Sequence, residues 1–434
     1  MAEGEQDFAA PVDAARVWEE GAVPEGAPAT ADAALASAQA APKKPRRKRS
    51  WGMWPSRVAL ALLFLIGFFV SMTPDGRVLV RGALLLSSAL TATQPGPLVE
   101  AGEPISHTQP VLPAQTGQIF LDVYVPVGKP PPIPGSREAV ILITGVGDNR
   151  TDPQLLNLSE SLARLGVVVV NMTTTQLLNV VIDPADKESV IQVFNYAAHL
   201  PGVNPRDIGI VGFSGGAALA CLAAADPRLQ DRLAFIATFG AFYNAADLLR
   251  DFGRRSVTAD GVVTPFHPGA LPIQALANMV GGTLPPDEGQ LFINGLTPGG
   301  TPLADPDTQL TTPGAAAAYH LIAGDEPDPA QVERNMAALS PAVKQLFDEL
   351  SPSEVIAQIR CPIYLLHDHA DPYVPFTESR NFDAALTRLG HPHEYAEFGI
   401  FHHTEISSGF GLGPLLGDGS KLYRILDGVL SASA

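Results

Sequence analysis

The chain has 434 residues, 46% of them apolar, so it is longer than one typical domain and can bury a large core. Its 45 acidic and 28 basic residues leave a net charge of −17, which excludes the basic footprint of a nucleic-acid-binding protein. Two cysteines, Cys221 and Cys361, both in stretches that read as core, exclude a disulfide framework and are expected as buried thiols.

Residues 1–50 are rich in Ala, Pro and Glu and poor in large apolar side chains, the composition of a disordered tail. The tail ends in a basic cluster, Lys43, Lys44, Arg46, Arg47, Lys48 and Arg49, and the uncharged run 58–72 (VALALLFLIGFFVSM) follows it. That run is shorter than the ~20 residues a membrane span needs. Arg57 can snorkel, however, and Trp51 and Trp54 suit an interfacial belt, so 51–73 reads as a transmembrane anchor. A cleaved signal peptide is the rival, disfavoured by the long leader and by the lack of a small-x-small site after Met72; a buried core helix fits the basic flank poorly. The basic cluster lies before the span, so the N-terminus is expected in the cytoplasm and the rest of the chain outside. The segment 78–92, apolar but for Arg81, reads as a helix lying at the interface or packed on the domain; if it crossed back, the domain would be cytoplasmic. Residues 74–115 are thus a juxtamembrane helix and a linker, punctuated by Pro and Gly from 91 to 113.

From 116 to 434 the pattern changes. Residues 118–125 alternate like a half-buried strand; 139–144, 167–171, 208–213, 233–238 and 362–367 read as buried strands. Helical patterns separate them, at 153–165, 186–200, 215–224 and 377–389, and 393–398 is strand-like. Strands alternating with helices imply an α/β class, a mostly parallel, doubly wound sheet whose ligands bind beyond the carboxyl ends of its strands. At one such end stands Gly212-Phe213-Ser214-Gly215-Gly216, a G-x-S-x-G between a strand and a helix. That setting is what a nucleophile elbow needs: flanking glycines let a serine sit in a strained turn with its hydroxyl above the sheet.

Here the sequence resembles the α/β-hydrolases, and within them the dienelactone-hydrolase and prolyl-oligopeptidase-like branch. Residues 201–208 (PGVNPRDI) resemble that branch's lead-in to the serine strand, 367–375 (HDHADPYVP) its acid loop with Asp368 in place of a glycine, and 399–402 (GIFH) its histidine loop. The resemblance implies a triad of Ser214 as nucleophile, His402 as base and Asp371 as the residue that orients the imidazole, in the chain order of this fold. His403 is the neighbour that competes with His402. One oxyanion donor is the amide of Gly215, after the nucleophile; the other comes from the loop after the 139–144 strand, Val146 by preference and Gly147 as the alternative. Asp148 stands next to that loop, and its carboxylate must point away from a developing oxyanion. Three Asn-x-Ser/Thr sequons, at Asn149, Asn157 and Asn171, read as chance matches, two of them in loops at the catalytic edge.

Residues 242–354 separate two sheet strands and are expected to form a lid or cap, with helical pieces at 245–254, 272–279 and 331–350 around a Pro/Gly-rich middle, 281–313. A rival chemistry is visible in His367-Asp368-His369-Ala370-Asp371, a His-x-His-x-Asp that resembles the metal motif of metallo-β-lactamase-type hydrolases, with His391, His393, His402 and His403 as further donors. It leaves the serine elbow unexplained and places Pro372 where that family has a histidine. The reading is therefore a membrane-anchored serine hydrolase that cleaves carboxylic esters of small molecules through an acyl-enzyme, without metal or organic cofactor. A serine peptidase of the same fold, the zinc hydrolase, and a catalytically silent hydrolase fold used as a binding module are the alternatives. Esters are preferred to peptides because no peptide-gating domain precedes the hydrolase region.

Overall fold

A computed structural model of the chain describes residues 102–399 except Lys129, Pro132 and Pro134, the backbone of 401–402 and 405–406, and a few residues on either side: Gly82, Leu85, Leu98, Asp418, Lys421, Leu422, Arg424 and Ile425. The expected anchor at 51–73 lies outside the described residues, and of 78–92 only Gly82 and Leu85 are described, both helical. Among the described residues no helix is long and apolar enough to cross a membrane.

A single large sheet organises the domain. Its strands are β1 (Ile105–Thr108), β2 (Val111–Pro113), β3 (Gln118–Pro126), β4 (Arg137–Ile143), β5 (Val168–Thr174), β6 (Val203–Phe213), β7 (Leu233–Phe239), β10 (Ile363–Asp368) and β11 (His393–Phe398). They lie in the order β1-β3-β5-β4-β6-β7-β10-β11, with β2 beside β3. From β5 to β11 every neighbour is parallel; β3 is antiparallel to β1, β2 and β5. This is the mostly parallel α/β sheet that the sequence led us to expect.

Side-chain alternation divides the strands between two cores, as a period of two requires. Ile141 and Ile143, Val170 and Met172, Ile208 and Ile210, and Ile363 and Leu365 face one side. Val140 and Leu142, Phe235 and Phe239, and Tyr364 and Leu366 face the other. Helix α1 (Pro153–Arg164) covers the second face. Helices α2 (Lys187–Ala198) and α3 (Gly215–Ala224) cover the first, with the insertion packed in the same cluster. Burying both faces explains why these strands read as continuous apolar runs. Cys221 and Cys361 are free and buried, as expected.

The sheet begins earlier than the sequence suggests. Residues 105–113, expected as the end of a linker, are the edge strands β1 and β2, bracketed by Pro104, Pro110 and Pro113. Proline is compatible with an edge, where one side of the backbone has no strand to bond. Buried Asp122 on β3 holds this edge down by accepting from Gln109 Nε2 (2.7 Å) and pairing with His107 Nε2 (2.8 Å).

The insertion is mostly helical: α4 (Ala245–Arg254), α5 (Ala270–Gly281), α6 (Pro286–Leu296), α7 (Ala315–Ala323), α8 (Pro329–Ala338) and α9 (Pro341–Leu350), with a hairpin of β8 (Ser256–Ala259) and β9 (Val262–Pro265) after α4. The stretch 331–350, expected as one helix, breaks where Leu339 turns extended before Ser340 caps α9 and Pro341 starts it. Within the expected loop 281–313 lies α6, with Pro286 in its first turn and Asp287 and Glu288 at its N-terminus.

The insertion's two roots are fastened to each other and to α10 (Phe376–Leu389). Ala245 N–H donates to Ser351 Oγ (2.9 Å) and Ser353 N–H to the Tyr243 carbonyl (3.0 Å). Buried Glu378 of α10 accepts from Tyr243 N–H (2.7 Å) and Asn244 N–H (2.8 Å). Burial pushes the Glu378 carboxyl up to about 8, against the pull of the two N–H donors. Its folded value therefore lies above that of the unfolded chain, so the stability linked to it is complete at acid pH and is lost as pH rises toward about 8. Glu378→Gln keeps an acceptor and removes the titration, so it should flatten that loss; Glu378→Ala should cost ~1–3 kcal/mol at acid pH and progressively less as pH rises toward about 8. Urea midpoints at about pH 6 and about pH 9 check both, and parallel pH slopes for wild type and Glu378→Gln would refute the assignment.

Candidate active site

The strand β6 delivers Ser214 to the carboxyl edge of the sheet in a conformation that few residues adopt. Its φ is 51° and its ψ −123°, and α3 starts at the next residue. Such a backbone costs of the order of 1–3 kcal/mol and persists only where the surroundings enforce it. Two close approaches do so here. A Cβ on Gly212 would lie 2.5 Å from Ala217 Cα, and one on Gly216 2.4 Å from the Thr144 carbonyl oxygen. Only glycine permits the helix to press that tightly against β4 and β6. Ser214 itself remains partly exposed.

The loop after β4 lies directly beside the serine: a Cβ on Gly145 would be 3.1 Å from Ser214 Cβ. Of the two candidates for the second oxyanion donor, Gly147 is already engaged, its N–H donating to the Leu177 carbonyl at 2.8 Å. Val146 and Gly215 carry N–H groups that have no hydrogen-bond partner among the described residues. Asn149 fixes the loop from the far side, its Nδ2 donating to the carbonyls of Val146 (3.1 Å) and Gly145 (3.5 Å). Because the Gly145 carbonyl shares a peptide plane with the Val146 N–H, these bonds help to set that plane. Asp148 points away, more than half exposed and paired with Arg150. Sequence reasoning treats Asn149 only as a sequon and misses this role. Asn171, expected in an edge loop, is buried inside β5 and paired with Ser159 (2.9 Å), where no glycan fits.

Asp371 lies in the turn after β10, buried, with Oδ1 accepting from Tyr373 N–H (2.7 Å) and Val374 N–H (3.0 Å). These bonds fix the carboxylate at the strand end, the placement that an orienting acid requires. His402 falls in β12 (Phe401–His402), paired with β13 (Glu405–Ile406), directly after β11; its side chain and all of His403 lie outside the described residues. The three loops share one edge of the sheet, and backbone bonds tie that edge together: Ser214 N–H to Phe239 O (2.8 Å), Gly240 N–H to Leu366 O (3.0 Å), and His369 N–H to Phe398 O (2.8 Å).

The rival metal motif does not converge. His367 is fully buried, with Nε2 donating to the Val374 carbonyl (2.9 Å) and Nδ1 bonded to Ser379 Oγ (2.6 Å), so neither nitrogen is open to a metal. His369 turns to the surface and pairs with Glu397 at 2.6 Å. His391 bonds the Cys361 carbonyl and His393 pairs with Asp383. Among the described residues no group of three or more such side chains is placed to hold a metal.

No family model and no curated protein matches the chain. Solved structures resemble it at low identity. A puromycin-hydrolyzing peptidase of Mycobacterium tuberculosis aligns over 74% of this chain and 38% of its own, at 15% identity and a TM-score of 0.43. An acylaminoacyl peptidase of Pyrococcus horikoshii aligns over 75% and 41%, at 12% identity and a TM-score of 0.42. The chain thus spans less than half the length of either peptidase. A 2,6-dihydroxy-pseudo-oxynicotine hydrolase aligns over 88% of this chain and 90% of its own, at 17% identity and a TM-score of 0.42.

The position of Asn149 yields a direct test. Asn149→Ala frees the Gly145 and Val146 carbonyls, the first of which shares its peptide plane with the Val146 N–H. It should lower kcat for a p-nitrophenyl ester by about tenfold with little change in KM, because the loosened donor acts on the oxyanion rather than on the bound ester. An unchanged kcat would show that the loop holds its shape without the asparagine.

Proposed function

We propose that the chain is a serine hydrolase that cleaves carboxylic esters through Ser214, His402 and Asp371, held to a membrane by residues 51–73 with the hydrolase domain outside the cytoplasm. The observation that carries the reading is the strained Ser214, partly exposed, with the N–H groups of Gly215 and Val146 beside it. In this mechanism the His402 imidazole takes the Ser214 proton as Oγ attacks the ester carbonyl carbon. The two backbone N–H groups hold the oxyanion, and Asp371 stabilises the imidazolium. The alcohol leaves with that proton, and a water activated by the same imidazole releases the acid. An amide can be acylated by the same steps, so a peptide is the second substrate to try.

A fluorophosphonate probe should label the wild-type protein, and Ser214→Ala should abolish labelling and lower ester turnover by several orders of magnitude. Asp371→Asn should cut the rate by about 10⁴, as the same change does in the triad of chymotrypsin-like proteases, and His402→Ala should be as damaging as Ser214→Ala. His403→Ala should retain far more activity. Turnover should rise with pH through the titration of an imidazole, about 6.5 when unperturbed. Full labelling of Ser214→Ala, or activity in His402→Ala together with a dead His403→Ala, would overturn the assignment of the corresponding residue. Faster turnover of an aminoacyl p-nitroanilide than of every ester would favour the peptidase.

The basic cluster before 51–73 supports the orientation. Protease added to intact cells should therefore digest the hydrolase domain and spare an N-terminal tag. Protection of both would place the domain in the cytoplasm.

A further inference from the structure

We infer that one stripe of helix α5, Leu271 and Gln274, roofs the site and makes it selective for a neutral, apolar acyl group; this rests on the serine-hydrolase reading above. The helix is tied at both ends to loops that carry the proposed machinery. At its start, Gly269 N–H donates to the Pro372 carbonyl (2.9 Å), next to Asp371. The turn lies so close to the acid loop that a Cβ on Gly269 would be 2.7 Å from the Tyr373 ring. Two turns later, Asn278 Nδ2 donates to the carbonyls of Asn179 (3.1 Å) and Val180 (3.2 Å). That second loop belongs to the oxyanion side: its Leu177 carbonyl holds Gly147 N–H, and its Ile182 lies 2.7 Å from where a Gly215 Cβ would be.

Between these two ties the helix covers about 12 Å at 1.5 Å per residue, the scale of an acyl pocket beside a nucleophile. Its orientation follows from helical spacing. Half-buried Asn278 faces the 179–180 loop, and residues seven and four before it, Leu271 and Gln274, share its face. Both are only half-buried, whereas Ala275, Leu276, Ala277, Met279 and Val280 are buried on the faces that pack into the insertion. The helix, ALPIQALANMVG, carries no charged residue. Val146 and Ile182, both buried, stand beside Gly215 and belong to the apolar cluster against which Leu271 packs. An apolar acyl chain would pack between Leu271 and these two, while the Gln274 amide can donate to or accept from one neutral polar group. A charged acyl group would lose its water without gaining a counter-ion from the helix.

The test compares p-nitrophenyl acetate, p-nitrophenyl hexanoate and the 6-ammonio analogue of the hexanoate on the purified full chain. Wild type should prefer hexanoate to the ammonio ester by at least about tenfold in kcat/KM, and Gln274→Glu should raise the ammonio-to-hexanoate ratio by about tenfold. Leu271→Trp should lower the hexanoate-to-acetate ratio by about tenfold by filling the pocket. Circular dichroism identifies a variant that does not fold, in which case the other, or Leu271→Ala with a smaller shift in the same ratio, decides. Ratios within about twofold of wild type in both folded variants overturn the inference. If the wild type is not labelled by the fluorophosphonate, the hydrolase reading itself fails and takes this inference with it; labelling with unmoved ratios defeats the roof alone.

Discussion

The contact on which the rest of the site depends is the approach of Gly216 to the end of β4. Carbonyl oxygens of Ile143 and Thr144 lie where any larger residue's Cβ would have to go. Because the helix start is pressed against β4, the turn before it is compressed, and the compression appears as the positive φ of Ser214. The same contact brings the loop after β4 alongside the serine. One steric fact therefore places Ser214, the amide of Gly215 and the loop of Val146 within a single small region. The small side chains of α3, GGAALACLAA, all buried, allow the approach to continue along the helix.

The charged residues around this edge do a different task. Arg380 pairs with Glu397 at the end of β11 and with Asp260 at the turn of the β8–β9 hairpin, and its guanidinium lies over the Phe376 ring. Glu397 also accepts from Tyr395 and pairs with His369; burial pushes its carboxyl up, but the hydrogen bonds from Arg380, Tyr395 and His369 hold it down at about 2. The network links the strand before the histidine loop, the acid loop and the insertion. Each exposed pair adds little stability alone, but together they restrict how these three pieces move relative to one another.

Much of this was legible in the sequence, for identifiable reasons. The strands β4 to β7 and β10 are buried on both faces, so they appear as uninterrupted apolar runs, and α3 and β11 begin and end where the sequence pattern does. The elbow was legible because the strain at one serine demands glycine at fixed offsets. What escaped depended on contacts between distant segments. Prolines around β1 and β2 read as a linker, since an edge strand needs neither alternation nor length. Gly289 in α6 read as a loop residue, yet it is there because the Gly281 carbonyl would lie 2.4 Å from its Cβ. The hairpin turn Asp260-Gly261, with positive φ at both residues, carries a short-range signal that periodicity alone passes over. The role of Asn149 was not legible, because which carbonyls a side chain meets is decided by the fold of its loop.

The place where the insertion interrupts the sheet also constrains how the chain folds. Strand β10 pairs in parallel with β7, but residues 240–362 lie between them. Closing a flexible loop of that length costs about 4 kcal/mol before any strand contact is gained. The insertion's own helices pack together and its two roots bond to each other, so once it has collapsed the effective loop is far shorter. Assembly of the second half of the sheet, with the 369–375 and 399–402 loops at its edge, therefore costs least chain entropy when the helical insertion has formed first. Core substitutions in Phe252, Leu321 or Phe347 would accordingly lower the yield of folded protein more than the activity of each molecule that folds.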